Sequence, residues 1–95
     1  MAIGTINNVT IVGNLGKDPS YKEHENGSRT CHLRIATTNK WKDRDSGEWQ
    51  ESTDWNDAVA FNGLGKYIAD NYEKGSRIAI SGRVNNGQII VEDLG

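Results

Sequence analysis

The sequence predicts an all-β domain, five strands with one short helix set between the third and the fourth. Three observations carry that expectation. Several stretches alternate in polarity at every second residue, Gly- and Asn-containing turns punctuate them, and one window alone, residues 62–75, shifts to the helical period. The length of 95 residues suits a single modest core, since so short a chain buries only about 60–65% of its unfolded surface.

The elements follow in order. In "INNVTIVGNL" (6–15), Val9, Ile11 and Leu15 share a parity, which predicts the first strand, and Gly13 inside it marks a bend or bulge. "GKDP" (16–19) is turn chemistry, with Asp18 and Pro19 ending the strand. Asn26-Gly27 predicts a tight hairpin turn, both residues tolerating positive φ. "TCHLRIATT" (30–38) sets Cys31, Leu33 and Ile35 on one face and His32, Arg34 and Ala36 on the other, a half-buried second strand. A polar loop over 39–47 closes at Ser46-Gly47, and a long third strand rich in Trp, Thr and Val runs to Phe61. Leu64, Tyr67, Ile68, Asn71 and Tyr72 then form one helical face, with Asn62 as N-cap, Lys74 as a basic last turn and Gly75 as the C′ residue. "RIAISGRV" and "QIIVE" make the last two strands, joined by a tight turn at "NNG" (85–87). The order β-β-β-α-β-β is that of the OB-fold, a five-stranded Greek-key barrel whose second and third strands and adjoining loops bind oligonucleotides or oligosaccharides.

Composition narrows the function classes. With 35% hydrophobic residues, 25% charged residues and one proline the chain is an ordered globular domain. Its longest apolar run is "AVAF", so no membrane span is expected, and "MAIGTINNVT" shows no secretory leader. Cys31 is the only cysteine and is expected as a small buried hydrophobe in a reducing, cytoplasmic setting. His24 and His32 lack companions at ligand spacing, so neither a metal nor any other cofactor is expected. The net charge of −2 argues, though weakly, against a polyanionic partner, but the distribution says more. Residues 29–44 hold Arg29, Arg34, Lys40, Lys42 and Arg44 against Asp43, whereas residues 45–57 hold Asp45, Glu48, Glu51, Asp54 and Asp57 with no cation. Three tryptophans fall in "NKWKDRDSGEWQESTDW" (39–55), among charged and small polar residues rather than aliphatic ones.

The segments "VGNLGKDP" (12–19), "ATTNKW" (36–41), "TDWNDAVAFNG" (53–63) and "YEKGSRIAISGRV" (72–84) together resemble the bacterial and phage single-stranded DNA-binding protein family over residues 6–92. The resemblance implies sequence-nonspecific, non-enzymatic protection of single-stranded DNA in replication, recombination or repair. It implies base stacking on Trp41, Trp55 and Phe61, and phosphate contacts from Arg34, Lys40, Lys42 and Arg44, with Lys17, Lys22 and Arg29 in a second tier. Periodicity alone sets Trp55 and Phe61 beside Val59 on the apolar, core side of the third strand; Asp57 on the same parity favours exposure. The acidic run is expected as a solvated edge.

Four departures from the family qualify this reading. The long hairpin loop between the fourth and fifth strands, with its tryptophan and basic residues, is reduced to "NNG". Trp49 stands where a basic or aliphatic residue is common, and two roles stay open, a replacement stacking platform or packing over the barrel rim. Asn56 and Asp57 replace residues often basic or histidine, and Gly63 a frequent lysine, which implies weaker and less salt-sensitive binding. The resemblance implies a homo-oligomer, and because Asn56 stands at a position linked to subunit contacts in the family, dimer and tetramer both stay open. The sequence ends at "IIVEDLG" without the family's acidic tail, so recruitment of repair proteins through such a tail is not expected. A competing class is an OB-fold protein-interaction module with little or no DNA affinity. A magnesium nuclease built on Asp43, Asp45 and Glu48 is disfavoured, because these lie on a polar loop beside Lys42 and Arg44 with no accompanying general base.

Overall fold

The computed structural model describes residues 5–95. Residues 1–4, the start of the stretch read as carrying no leader, lie outside them. The element order is β1 (Val9–Leu15), β2 (Ser20–Glu23), β3 (Arg29–Lys42), β4 (Trp49–Phe61), α1 (Asn62–Asn71), β5 (Arg77–Asn85) and β6 (Gln88–Leu94). The strands pair in the order β1-β5-β6-β4-β3-β2, and a further β1–β3 pairing closes β1, β3, β4, β6 and β5 into the expected five-stranded OB barrel. Among the described residues only β4 and β6 pair in parallel. The four-residue β2 is an addition to the expected set: it lies outside the ring, on the free edge of β3.

Alternation explains the barrel wall. Leu15, Cys31, Leu33, Ile35, Ala58, Ala60, Ile68, Ile78, Ile80, Ile89 and Val91 form one buried cluster. Cys31 is enclosed as expected, and burial pushes its thiol pKa up. Gly13 sits where β1 changes partners, since Val9 to Asn14 pair with β5 while Asn14 and Leu15 also pair with β3. A Cβ there would come within 2.3 Å of the Ala36 carbonyl oxygen and 2.9 Å of Ile35 Cγ2, so the close crossing requires glycine. β1 begins at Val9 rather than at residue 6. Just before it, Asn7 uses its side chain as a substitute rung: Oδ1 accepts from Val84 N at 2.9 Å and Nδ2 donates to Val84 O at 2.7 Å.

The helix is shorter and differently capped than expected. Asn62 is its first residue, not its cap; it turns the corner from β4 at φ 54°, a conformation asparagine tolerates. Its Oδ1 instead accepts from Arg29 N at 3.3 Å, across the start of β3. The helix stops at Asn71 with an extended Tyr72 as C-cap, so Lys74 contributes no basic last turn. Gly75, at φ 90°, serves a separate turn in which Ser76 N donates to Glu73 O.

The turns separate in the same way. "NNG" is a two-residue turn with Asn86 at φ 52° and Gly87 at φ 77°, as expected. At Asn26-Gly27 only Gly27 takes positive φ, and His24 and Ser28 close a three-residue loop through His24 N to Ser28 O. The polar loop expected over 39–47 is largely strand. β3 and β4 stay paired from Thr30↔Phe61 out to Lys42↔Trp49, leaving only residues 43–48 as the turn. The resulting hairpin projects beyond the barrel: the radius of gyration is 16.2 Å, against about 12–13 Å for a compact chain of this length. Among the described residues no helix is long and apolar enough to cross a membrane.

Two glycine substitutions test this architecture. Gly13→Ala should lose about 1–3 kcal/mol or more in urea unfolding, because the added methyl meets backbone. Gly63→Ala should gain up to about 1 kcal/mol, because it is helical and a Cβ there meets nothing within 4 Å.

Candidate nucleic-acid interface

Directly opposed residues of an antiparallel pair share a face, so the β3–β4 register sorts the side chains. One face holds Thr30, His32, Arg34, Ala36, Thr38, Lys40 and Lys42 of β3 against Phe61, Val59, Asp57, Trp55, Thr53, Glu51 and Trp49 of β4. The other carries Cys31, Leu33, Ile35, Ala58 and Ala60 into the core. Trp55 and Phe61 are therefore outside the barrel, and periodicity alone is corrected. The interior of β4 is filled by alanine, where the narrow barrel leaves little room, and the large rings go outward.

Trp49, Trp55 and Phe61 recur every six residues along this outer face, about 20 Å apart at roughly 3.3 Å per residue. They are 72%, 51% and 43% exposed. Trp49 ends the projecting hairpin beside Lys42, well away from the barrel rim. Trp41 is also half exposed but has the opposite parity, paired with Gln50 on the reverse face. That reverse face is polar beyond the barrel. Asn56 Nδ2 donates to Ile35 O at 3.3 Å and to Thr37 Oγ1 at 3.2 Å, and Asn39 Nδ2 donates to Asp54 Oδ2 at 3.4 Å. Such cross-strand bonds hold a ribbon that has no hydrophobic layer beneath it.

The acidic residues of the run are exposed, as expected of a solvated edge. Two of them also face cations directly across the ladder. Arg34 Nη1 lies 3.5 Å from Asp57 Oδ1, and Lys40 Nζ lies 3.8 Å from Glu51 Oε2. The Arg34 guanidinium also lies over the Trp55 ring, 5.2 Å from its centroid. Arg44 sits in the distal turn, whose geometry is set by Asp43 Oδ1 accepting from Asp45 N and Ser46 Oγ accepting from Glu48 N. Among the described residues no three His, Cys, Asp or Glu side chains converge on a metal position.

A second feature was not singled out in the sequence. A groove of about 560 Å³ runs between β2–β3 and the β5–β6 turn, lined by Lys17, Ser20, Lys22, His32, Asp57 and Gln88 among others. It gathers two second-tier lysines with His32, whose parity with Arg34 was the available signal; Arg29 is not in it. At its far end Lys22, Thr30 and Phe61 form one rung across β2, β3 and β4. The groove thus flanks the barrel part of the aromatic row, with Asp57 between Trp55 and Phe61 in its wall.

Gly16 seats the central ring. Its backbone N donates to Arg34 O at 2.9 Å, and an added Cβ would fall 2.3 Å from Trp55 Cζ3. Gly16→Ala should push the indole outward and red-shift its emission in a protein retaining Trp55 as its sole tryptophan; an unchanged spectrum would mean the ring is not seated there.

Comparison with known proteins agrees with this geometry. The family model described as "Single-strand binding protein family" matches residues 6–93. A single-stranded DNA-binding protein of Rhizobium meliloti (strain 1021) is 40% identical over 82 residues, covering 85% of this chain and 47% of the relative. Single-stranded DNA-binding protein 1 of Xylella fastidiosa (strain 9a5c) is 34% identical over 84 residues, 88% of this chain and 62% of that protein. The chain thus spans about half to three-fifths of these relatives' length. Among solved structures, a Plasmodium falciparum SSB in complex with ssDNA superposes with a TM-score of 0.78 at 25% identity, covering 96% of this chain and 90% of that one. A deletion mutant of the single-stranded DNA binding protein from Thermus aquaticus matches with a TM-score of 0.78 at 22% identity, over 95% of this chain and 49% of the other, a likeness of fold. With nearly the whole described barrel inside the matched span, the chain belongs to the single-strand binding protein family.

Proposed function

We propose that this chain binds and shields single-stranded DNA without sequence preference and without catalysis, serving replication, recombination or repair. The observation that carries this is the row of Trp49, Trp55 and Phe61 on the outer face of β4, with cations on the adjoining strand. Every base has a π-face, so stacking is sequence-tolerant, and each stacked base contributes about 1–3 kcal/mol, a figure taken from single-strand binders of this kind. Arg34, Lys40 and Lys42 along β3, with Arg44 at the tip, serve the phosphates, and Lys17 and Lys22 extend the path into the groove. Trp41, on the reverse face, serves a strand that wraps the hairpin edge.

Assembly as a homo-oligomer, dimer or tetramer, belongs to the same reading; Val12, exposed on β1, supplies apolar surface for it. One observation favours a second reading, a protein-interaction barrel with little DNA affinity. Glu51 and Asp57 partly neutralise the cations that phosphates would need.

Tryptophan fluorescence titrated with oligothymidylate and with duplex of equal length separates the two. Single-strand binding predicts quenching by oligothymidylate alone. Four phosphate contacts predict a slope of about −3 in log K against log salt, at roughly −0.7 per contact. No response at low salt would favour the protein-interaction reading.

A further inference from the structure

We infer that Asp57 opposes nucleic-acid binding by holding Arg34 over the face of Trp55, so that binding requires Arg34 to exchange its carboxylate for a phosphate. This rests on the single-strand reading above.

Four contacts meet at one place. Arg34 and Asp57 are directly opposed in the β3–β4 ladder, which fixes their backbones side by side. Their side chains meet at 3.5 Å, and both are largely in solvent, 46% and 62% exposed. The same guanidinium lies 5.2 Å from the centroid of the Trp55 ring. Gly16 crowds the benzo ring and donates to the Arg34 carbonyl, so indole and arginine share one seat.

A guanidinium and a nucleobase cannot occupy the same ring face. The free protein therefore holds its central platform partly covered and its nearest cation partly neutralised, both through Asp57. An exposed ion pair is weak in water, and an arginine matches phosphate oxygens as well as carboxylate ones. The exchange is thus open to a polyanion. When a base stacks on Trp55, Arg34 swings from ring and carboxylate to the phosphate beside that base. Asp57 sets how much affinity is withheld, and it withholds most at low salt, where the exposed ion pair is least screened. Lys40 and Glu51, two rungs beyond Trp55, form a looser pair at 3.8 Å with no ring beneath it.

The test is a double-mutant cycle on the intact chain, read by oligothymidylate titration over a range of salt. Wild type makes the Arg34–phosphate contact only by giving up the Asp57 pair, so removing Asp57 removes that loss. Asp57→Asn should then tighten binding about two- to fivefold at 0.05 M salt, less at 0.2 M where the pair is already screened, and so steepen the salt slope. In an Arg34→Gln background the same substitution should gain little, because there is no guanidinium to release. Glu51→Gln removes the same negative charge but frees Lys40 from a looser pair, and should gain less than Asp57→Asn. Without DNA, acrylamide should reach Trp55 more readily in Asp57→Asn, in a chain whose other two tryptophans are phenylalanine. Equal affinity and slope in wild type and Asp57→Asn would overturn the inference and leave the single-strand reading intact. An equal gain in the Arg34→Gln background would also overturn it, showing general charge and not release. Failure of wild type and every variant to bind oligothymidylate would sink the single-strand reading and, with it, this inference.

Discussion

The structure depends on one uninterrupted constraint, the antiparallel ladder between β3 and β4, which runs from Thr30↔Phe61 to Lys42↔Trp49 without a slip. The pleat alternates strictly along it, so the same register that buries Cys31, Leu33 and Ile35 must expose His32, Arg34 and Ala36. A one-residue slip would reverse both faces at once. Core and candidate site are therefore two readings of a single alignment, and the core fixes the outer face with more energy than the outer face itself commands. Buried aliphatic side chains contribute about 1.5–3 kcal/mol each, whereas exposed ion pairs such as Lys40–Glu51 contribute about 0–1 kcal/mol.

The ladder continues where the core does not. Past Ile35 and Asn56 the ribbon has no hydrophobic layer, and cross-strand amide and hydroxyl bonds through Asn39, Asp54, Asn56 and Thr37 replace it. This part of the hairpin carries Trp41 and Trp49 far from the barrel, a reach that a loop of the same residues would not hold. Rigid spacing lets aromatic side chains serve as platforms at fixed intervals, because ordering them during binding would cost entropy at each ring.

The sequence made much of the barrel legible and little of the ribbon. Alternation in "TCHLRI" and "RIAISGRV", the helical window from Leu64 to Tyr72 and the Asn86-Gly87 turn each leave a local signature that tertiary contacts reinforce. Residues 39–42 and 49–52 alternate nothing apolar, so their strand character comes only from pairing with each other, which a local pattern does not express. β2 was missed for a related reason: four residues with a single core-packed side chain, Tyr21, give almost no period. Periodicity misassigned the faces of β4 because it follows side-chain size, and the crowded interior takes alanine. The resemblance to known single-strand binders corrected that, but it could not foresee that Glu51 and Asp57 sit one rung across from cations.

The account's central claim is that the outer face of β4 is the platform on which single-stranded DNA lies. Its most direct test follows the three indole N–H signals by NMR as oligothymidylate of increasing length is added. The account predicts that Trp55 shifts first with short oligomers, that Trp49 joins as length grows to span about 20 Å, and that Trp41 moves only with the longest. Equal and immediate shifts at all three would contradict the assignment of faces. No shift at any indole at low salt would contradict the claim itself.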